Sequence, residues 1–192
     1  LRTIVGDAAQ IMVSPCVPQE CMIPPTFDVT QKLYDFVYVA SGEAHKNHQR
    51  LLDAWVLLAE AGLYPSLALT VDPAQDPQLA GLIDRMTRRH HLRIVNLEAL
   101  ALTQVGELYQ LSSALIFPSW MESFGLPLLE AAWHGLPIVA SELDFVRDVV
   151  VPVESFDPHS SLSIMRAVQR FLKQEVPLVQ PHHAEQFLAS VL

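Results

Sequence analysis

The chain reads as an α/β domain built on a doubly wound parallel sheet, and three observations carry that reading. From about residue 36 onward, short apolar runs of strand type alternate with segments of helical period, the pattern of strand-helix-strand units with right-handed crossovers. Of the 192 residues, 51% are hydrophobic and only 17% charged, which gives ample core for one domain. Turn-forming residues stand directly after the apolar runs, as at Ser41-Gly42 and Pro118, where a strand would hand over to a loop.

The first strand is Phe36 to Ala40 (FVYVA), and a helix follows from roughly His48 to Ala61. In that helix Leu51, Leu52, Trp55, Leu58 and Ala59 share one face, with Asn47 expected as its cap and Gly62 as its stop. Next come a strand from Ser66 to Val71 (SLALTV), a helix from about Pro77 to Arg89, a strand from Leu92 to Leu97 (LRIVNL) and a helix from about Thr103 to Ser112. The strand Ala114 to Phe117 (ALIF) ends at Pro118, and Leu126 to Trp133 reads as a helix with Pro127 at its first position, where a missing N–H costs nothing. His134 is expected to cap that helix beside Gly135. A strand from Pro137 to Ala140 and a short helix near Phe145 to Val149 come next, with Arg147 and Asp148 expected to pair locally. Asp157-Pro158 is expected to begin a helix running to about Phe171.

In domain terms, residues 1–30, with prolines clustered in VSPCVPQECMIPP, read as a linker segment, residues 31–175 as the α/β domain, and residues 176–192 as a tail with a short helix from His183. A formal charge of −9 argues against nucleic acid and against an anionic membrane surface as direct partners. No run of about eighteen apolar residues is present, so no membrane insertion is expected. Cys16 and Cys21 are too few for a disulfide framework, and free thiols in a reducing cytoplasm are the expected state. The eight histidines include the adjacent pairs His90-His91 and His182-His183, but none joins a cysteine or carboxylate at ligand spacing. They are expected on the surface, with no metal site and no cofactor. No G-x-G-x-x-G follows any strand, so a nicotinamide or flavin site lacks its fingerprint.

The stretch from Phe117 to Ala140, FPSWMESFGLPLLEAAWHGLPIVA, carries the most chemistry. Glu122 and Glu130 bracket a strand-to-helix corner, which offers the N–H groups of Phe124, Gly125 and Leu126 and the positive end of a helix dipole to an anion above the sheet. That describes a phosphate site. Glu130, about one turn into the helix, can accept hydrogen bonds from a vicinal diol such as a ribose, and Glu122 can reach past the phosphates to what they carry. A diphosphate, a ribose and a polar body in line make a nucleotide sugar. Lys46, at the mouth of the first strand-helix turn, faces the same crevice if the two strands are parallel neighbours.

This pattern resembles the E-x7-E motif of retaining glycosyltransferases of the GT-B fold, and is most similar to glycosyltransferase family 4. Family members read P-S-x-x-E-x-F-G-L-P-x-x-E-A and then G-x-P-[IV]-[IV]-A-S; here the matching residues run from Pro118 and Ser119 through Glu122, Phe124, Gly125, Leu126, Pro127, Glu130 and Ala131 to Gly135, Pro137, Ile138, Val139, Ala140 and Ser141. The resemblance covers about residues 36 to 175 and implies one Rossmann-like half of a GT-B fold, the donor-binding half. It implies Glu122 and Lys46 as catalytic residues, and Glu130, Ser123, Phe124, Gly125, Leu126, Gly42, His45, Asn96 and Leu97 as donor-binding residues, with no metal. The family's G-R-x-x-x-x-K-[GN] loop keeps its lysine and asparagine at Lys46 and Asn47, but Ser41 stands near the arginine's place. Asn96-Leu97 corresponds to a base-contacting loop in which Glu98 replaces a glycine. Trp120 and Phe124 flank Glu122 and either line the sugar pocket or pack beneath the corner.

The expected function is donor binding in a metal-independent, retaining transfer of a hexose from a UDP- or GDP-sugar to a saccharide or lipid-linked acceptor. Length leaves room for one of the two GT-B domains, so the chain is expected to be a C-terminal portion that binds donor but does not transfer sugar alone. Its expected place is cytoplasmic, or peripheral at the inner membrane face in the full-length enzyme. A glycosidase is disfavoured because both carboxylates come from one corner and approach from one side. A sugar-nucleotide epimerase on the same fold and a non-catalytic nucleotide-sugar-binding module are the alternatives.

Overall fold

The computed structural model describes residues 31–173. The expected linker (1–30), its two cysteines and the tail helix from His183 lie outside the described residues. Six strands form one parallel sheet in the order β3-β2-β1-β4-β5-β6. The strands are β1 (Tyr34–Tyr38), β2 (Leu67–Leu69), β3 (Ile94–Asn96), β4 (Ser112–Phe117), β5 (Ile138–Ser141) and β6 (Glu154–Phe156). The helices are α1 (His48–Glu60), α2 (Pro77–His90), α3 (Leu102–Gln110), α4 (Leu126–Trp133), α5 (Asp144–Arg147) and α6 (Ser161–Phe171).

The four inner strands are buried nearly throughout, because a parallel sheet with crossover helices is covered on both faces. Phe36 pairs with Leu67 on one side and Ala114 on the other, placing β1 at the centre. Its ring meets Trp55 of α1 edge-on at 5.6 Å and Phe171 of α6 at 5.3 Å, so those two helices share one face. The chain reverses its direction across the sheet after β3, and right-handed crossovers then put α3 and α4 on the opposite face. There Tyr109 packs its ring 5.7 Å from that of His134.

Most expected elements are present, with boundaries shifted by a few residues. Four expectations change. Glu154–Phe156 forms a sixth strand, paired in parallel with β5, where the sequence pattern showed none. The last helix starts at Ser161 rather than at Asp157-Pro158: the Asp157 carboxylate accepts the His159 N–H at 2.8 Å and forms a local turn, and Ser160 caps the helix by accepting from Ser163 N–H at 3.1 Å. Arg147 pairs with Glu142 and Asp144 rather than Asp148, because α5 brings the side chain three residues back onto the same face. Pro127 is the second helical residue, still in the turn whose N–H groups have no helical partner.

Candidate functional site

Strands β1 and β4 are hydrogen-bonded neighbours whose connections leave in opposite directions, β1 toward β2 and β4 toward β5. Diverging loops at such a switch point open a crevice at the carboxyl ends of the strands. Residues 39–47 and 118–125 form its two walls. Lys46 ends a 3-10 turn, Ala44–Lys46, and its Nζ donates to both Glu122 oxygens at 2.8 and 3.0 Å. The two side chains are 16% and 8% exposed, so the pair is largely withdrawn from water. Ammonium and carboxylate 76 positions apart in sequence thus meet at the centre of the crevice.

A buried polar lattice fixes these loops. Asn47 stands at the N-cap of α1 as its position suggests, its carbonyl accepting the Leu51 N–H at 3.2 Å, but it sits in the left-handed region at φ 63 and its side chain makes no cap bond. Its Nδ2 instead donates to the carbonyls of Pro118 at 2.9 Å and Pro158 at 2.7 Å, tying the loops after β1, β4 and β6 together. Asparagine suits both tasks, since it tolerates left-handed backbone and carries two amide donors. The Tyr38 hydroxyl donates to the Lys46 carbonyl at 2.8 Å. A phenol has one proton, so Ser119 is the donor in the 3.0 Å bond between the two hydroxyls. Burial pushes the Tyr38 phenol up; Ser119 opposes this, and the charges of Glu122 and Glu43 add to it, so it stays protonated. The Trp120 backbone N–H donates to the His45 carbonyl at 3.0 Å. Trp120 itself lies between the Arg50 guanidinium, 5.4 Å from its ring centre, and the stacked ring of His159 at 5.9 Å.

His48 departs from the surface placement expected of the histidines. It is 4% exposed, its ring lies 5.0 Å from that of Tyr38, and neither ring nitrogen has a hydrogen-bond partner among the described residues. Burial pushes it down to about 4, with the Lys46 charge adding and Glu43 opposing, so it is neutral at physiological pH.

Beyond Glu122 the chain turns at Gly125, whose φ of 74 favours glycine, into α4. Ser123, Phe124 and Leu126 are exposed at the rim. The amides of Phe124, Gly125 and Leu126 stand at or before the first helical turn, where the α4 ladder supplies no acceptor. Glu130, on the same helix, is 8% exposed, and its Oε2 accepts the Tyr109 hydroxyl at 2.9 Å.

The other expected site residues shape loops. The Gly42 N–H donates to Asp76 Oδ2 at 3.0 Å, and a Cβ there would lie 2.2 Å from the Asp76 carboxyl carbon, so close approach of that carboxylate demands glycine. His45 is half-buried and contributes its carbonyl to Trp120. Asn96 spends its amide on Val71, accepting from its N–H at 2.9 Å and donating to its carbonyl at 2.8 Å. The Leu97 N–H donates to Leu69 at 2.8 Å, and Glu98 takes φ 60, so the backbone adopts a glycine-favoured angle without glycine. Ser41 donates to the Glu43 carboxylate. An open groove of about 660 Å³ lies beyond the Lys46 loop, lined by Asn47, Arg50, Asp76, Arg85 and Trp120; neither Lys46 nor Glu122 lines it. Among the described residues no group of three or more His, Cys, Asp or Glu is placed to hold a metal ion.

Sequence reasoning missed Tyr38, Ser119, Tyr109 and the clamp made by Asn47. Tyr38 left one trace, as the sole polar side chain in FVYVA.

A parallel six-stranded sheet flanked by helices, with a crevice at its switch point, defines a doubly wound, Rossmann-like α/β class of domain. Residues 25–186 match the family described as Glycosyl transferases group 1, and the chain belongs to that family. It is similar to O-antigen chain mannosyltransferase B of Escherichia coli, 31% identical over 140 residues that cover 71% of this chain and 36% of that protein. This chain therefore spans about a third of the length of that curated relative. Among solved structures it resembles the Anabaena protein Alr3699/HepE in complex with UDP and glucose, with TM-score 0.59 and 18% identity over 73% of this chain and 39% of that one. It also resembles the C-terminal domain of a glycosyl transferase group 1 family protein (LpcC) from Francisella tularensis, with TM-score 0.62 and 17% identity over 75% and 77% of the two chains. The architecture is that of a GT-B Rossmann-like half.

Proposed function

We propose that this chain is the donor-binding domain of a retaining, metal-independent glycosyltransferase that moves a hexose from a UDP- or GDP-sugar to a saccharide or lipid-linked acceptor. The observation that carries the reading is the meeting of Lys46 with Glu122 at the switch point, beside the N-terminus of α4. Breaking the bond between the sugar's C1 and the diphosphate loads negative charge onto the leaving oxygens. A fixed ammonium and unpaired helical amides stabilise that charge without reorganising, so no metal ion has to be recruited for it. Incoming donor exchanges the Lys46–Glu122 pair for Lys46–diphosphate contact, and the freed Glu122 carboxylate accepts hydrogen bonds from sugar hydroxyls. Glu130 accepts from the ribose diol.

With both carboxylates on one side of the donor, neither of them serves as a nucleophile on the opposite face of the sugar, and we take attack on the departing face, with retention, as the proposed course. Similarity to an O-antigen mannosyltransferase makes mannose the first sugar to test and a saccharide the first acceptor. The proposed place of action is the cytoplasm or the inner membrane face; among the described residues no helix is long and apolar enough to cross a membrane.

Calorimetric titration of the 192-residue chain with UDP, GDP, ADP and their sugars tests the reading. Binding that Lys46→Ala weakens at least tenfold and Glu130→Ala abolishes is the expected result. No heat with any nucleotide at millimolar concentration would overturn it.

A further inference from the structure

We infer that the groove between the N-terminal ends of α1 and α2 is a saccharide-binding subsite, suited to a short, neutral stretch of the acceptor and not to the nucleotide. The inference rests on the reading of the chain as a domain that transfers sugar to a saccharide. The groove is separate from the Lys46–Glu122 pair, since neither residue lines it, and its volume of about 660 Å³ falls in the size class of small-molecule sites. Its α1 wall is held in place. Arg50 Nη1 donates to Asn47 Oδ1 at 3.2 Å, and the guanidinium lies 5.4 Å from the ring centre of Trp120, which also stacks on His159. Asn47 is clamped in turn to the loops after β4 and β6. On the other wall, Asp76 Oδ2 accepts the Gly42 N–H at 3.0 Å, which fixes the N-terminal end of α2 against the loop after β1.

The class of ligand follows from the lining. It holds two guanidinium groups, Arg50 and Arg85, and two carboxylates, Glu43 and Asp76, so formal charges cancel and an anion gains little by entering. Gln75, Gln78 and Arg85 are exposed and make no side-chain hydrogen bond among the described residues. Glutamine offers a carbonyl acceptor beside two amide donors, and arginine a planar fork of donors, so each can engage a pair of adjacent hydroxyls. Leu79 and Leu82 add apolar surface of the kind that the C–H face of a sugar ring can cover. A neutral polyol uses donors, acceptors and apolar surface together; phosphate or a hydrocarbon uses one of them. Residues 118–125 wall the crevice, and Trp120 among them lines the groove, so the two spaces share that loop. An acceptor anchored in the groove therefore lies one loop away from Glu122.

Amide NMR of the 192-residue chain, titrated with neutral trisaccharides of mannose, galactose and glucose up to tens of millimolar, tests this. At least one of them is expected to move the side-chain amide resonances of Gln75 and Gln78 and the backbone resonances of Gln49, Arg50 and Leu79. Gln78→Ala and Arg85→Ala, both at exposed positions of α2, should each weaken that binding about fivefold and leave UDP and GDP affinity unchanged. Failure of every trisaccharide to move these resonances, or shifts confined to other residues, overturns the inference. So does undiminished binding by both variants. Inorganic phosphate that moves the same resonances at lower concentration than any trisaccharide also overturns it, since the groove would then be an anion site. The two readings fail separately: a chain that binds trisaccharide here and no nucleotide keeps the groove and loses the donor site, whereas one that binds nucleotide and no trisaccharide loses the groove alone.

Discussion

The switch-point corner and the β6–α6 margin both carry polar side chains at the edge of the same sheet, yet they hold them in opposite ways. At the corner the bonds from Asn47 to Pro118 and Pro158, from Lys46 to Glu122 and from Ser119 to Tyr38 span 71 to 111 positions of sequence, and every one of them is buried or partly so. At the margin, Arg170 reaches the Glu154 carboxylate and the Ser155 carbonyl across 16 and 15 positions, in contact with solvent. A group withdrawn from water depends on its partner, because losing that partner leaves an unpaired buried atom. One at the rim falls back on solvent. The comparison teaches that polar contacts define the corner and merely decorate the margin, and substitutions should separate the two.

The largest effect is expected at Asn47. Replacing it by alanine removes two buried donors from the Pro118 and Pro158 carbonyls and places a residue less tolerant of left-handed backbone at φ 63. A loss of about 3–4 kcal/mol should result, read as a lower urea midpoint with unchanged slope. Nucleotide binding should weaken with it, since Lys46 and the Glu122 loop hang on the same clamp. A loss below about 1 kcal/mol would mean that the corner is no more coupled than the margin.

His48 gives the second prediction, and its sign follows from linkage. Burial holds its folded pKa at about 4, below the ordinary 6.5, so the unfolded chain takes up the proton first as pH falls. Stability from this group is fully present above 6.5 and is lost as pH drops toward 4, by about 3 kcal/mol in all. His48→Phe keeps a ring against Tyr38 and removes two nitrogens that have no partner among the described residues. Denaturation at stepped pH should show this variant as stable as the wild type at neutral pH and flatter over that window. Matching slopes would place His48 in contact with water.

Why one region was legible and the other was not follows from the same contrast. The Glu122–Glu130 corner lies in one continuous stretch, so strand, turn, glycine and helix could be read in order, and α4 has the bounds expected of it. Strand β6 is only three residues, Glu154–Phe156, too short for alternation to show, and exists because β5 offers it a neighbour. The Asn47 clamp depends on Pro158, 111 positions away, and the Tyr109–Glu130 bond on a helix contact; neither leaves a local pattern. His48 looked solvated beside Lys46 and Gln49, and only the packing of α1 over Tyr38 buries it.

Away from the corner the effects shrink. Glu98 occupies φ 60, a left-handed angle that costs a side chain roughly 1–2 kcal/mol, and glycine would relieve it. Glycine's extra freedom in the unfolded chain returns about 0.4–1 kcal/mol of that, so Glu98→Gly should stabilise by about 0.5–1 kcal/mol. A rise in thermal midpoint checks the sign; a fall would show the glutamate side chain contributing more than its backbone costs.

The smallest effect belongs to the margin. Arg170 Nε lies 2.7 Å from Glu154, with side chains 42% and 25% exposed, and its Nη2 donates to the Ser155 carbonyl at 3.2 Å. Water replaces both contacts when the guanidinium is removed, and two long side chains regain their freedom. Arg170→Ala should therefore cost about 0.5 kcal/mol or less and leave nucleotide affinity unchanged, with most of the small loss disappearing in 1 M salt. A cost near that of Asn47→Ala would mean that β6 is held by this ion pair rather than by its ladder with β5, and the contrast between buried corner and solvated margin would fail.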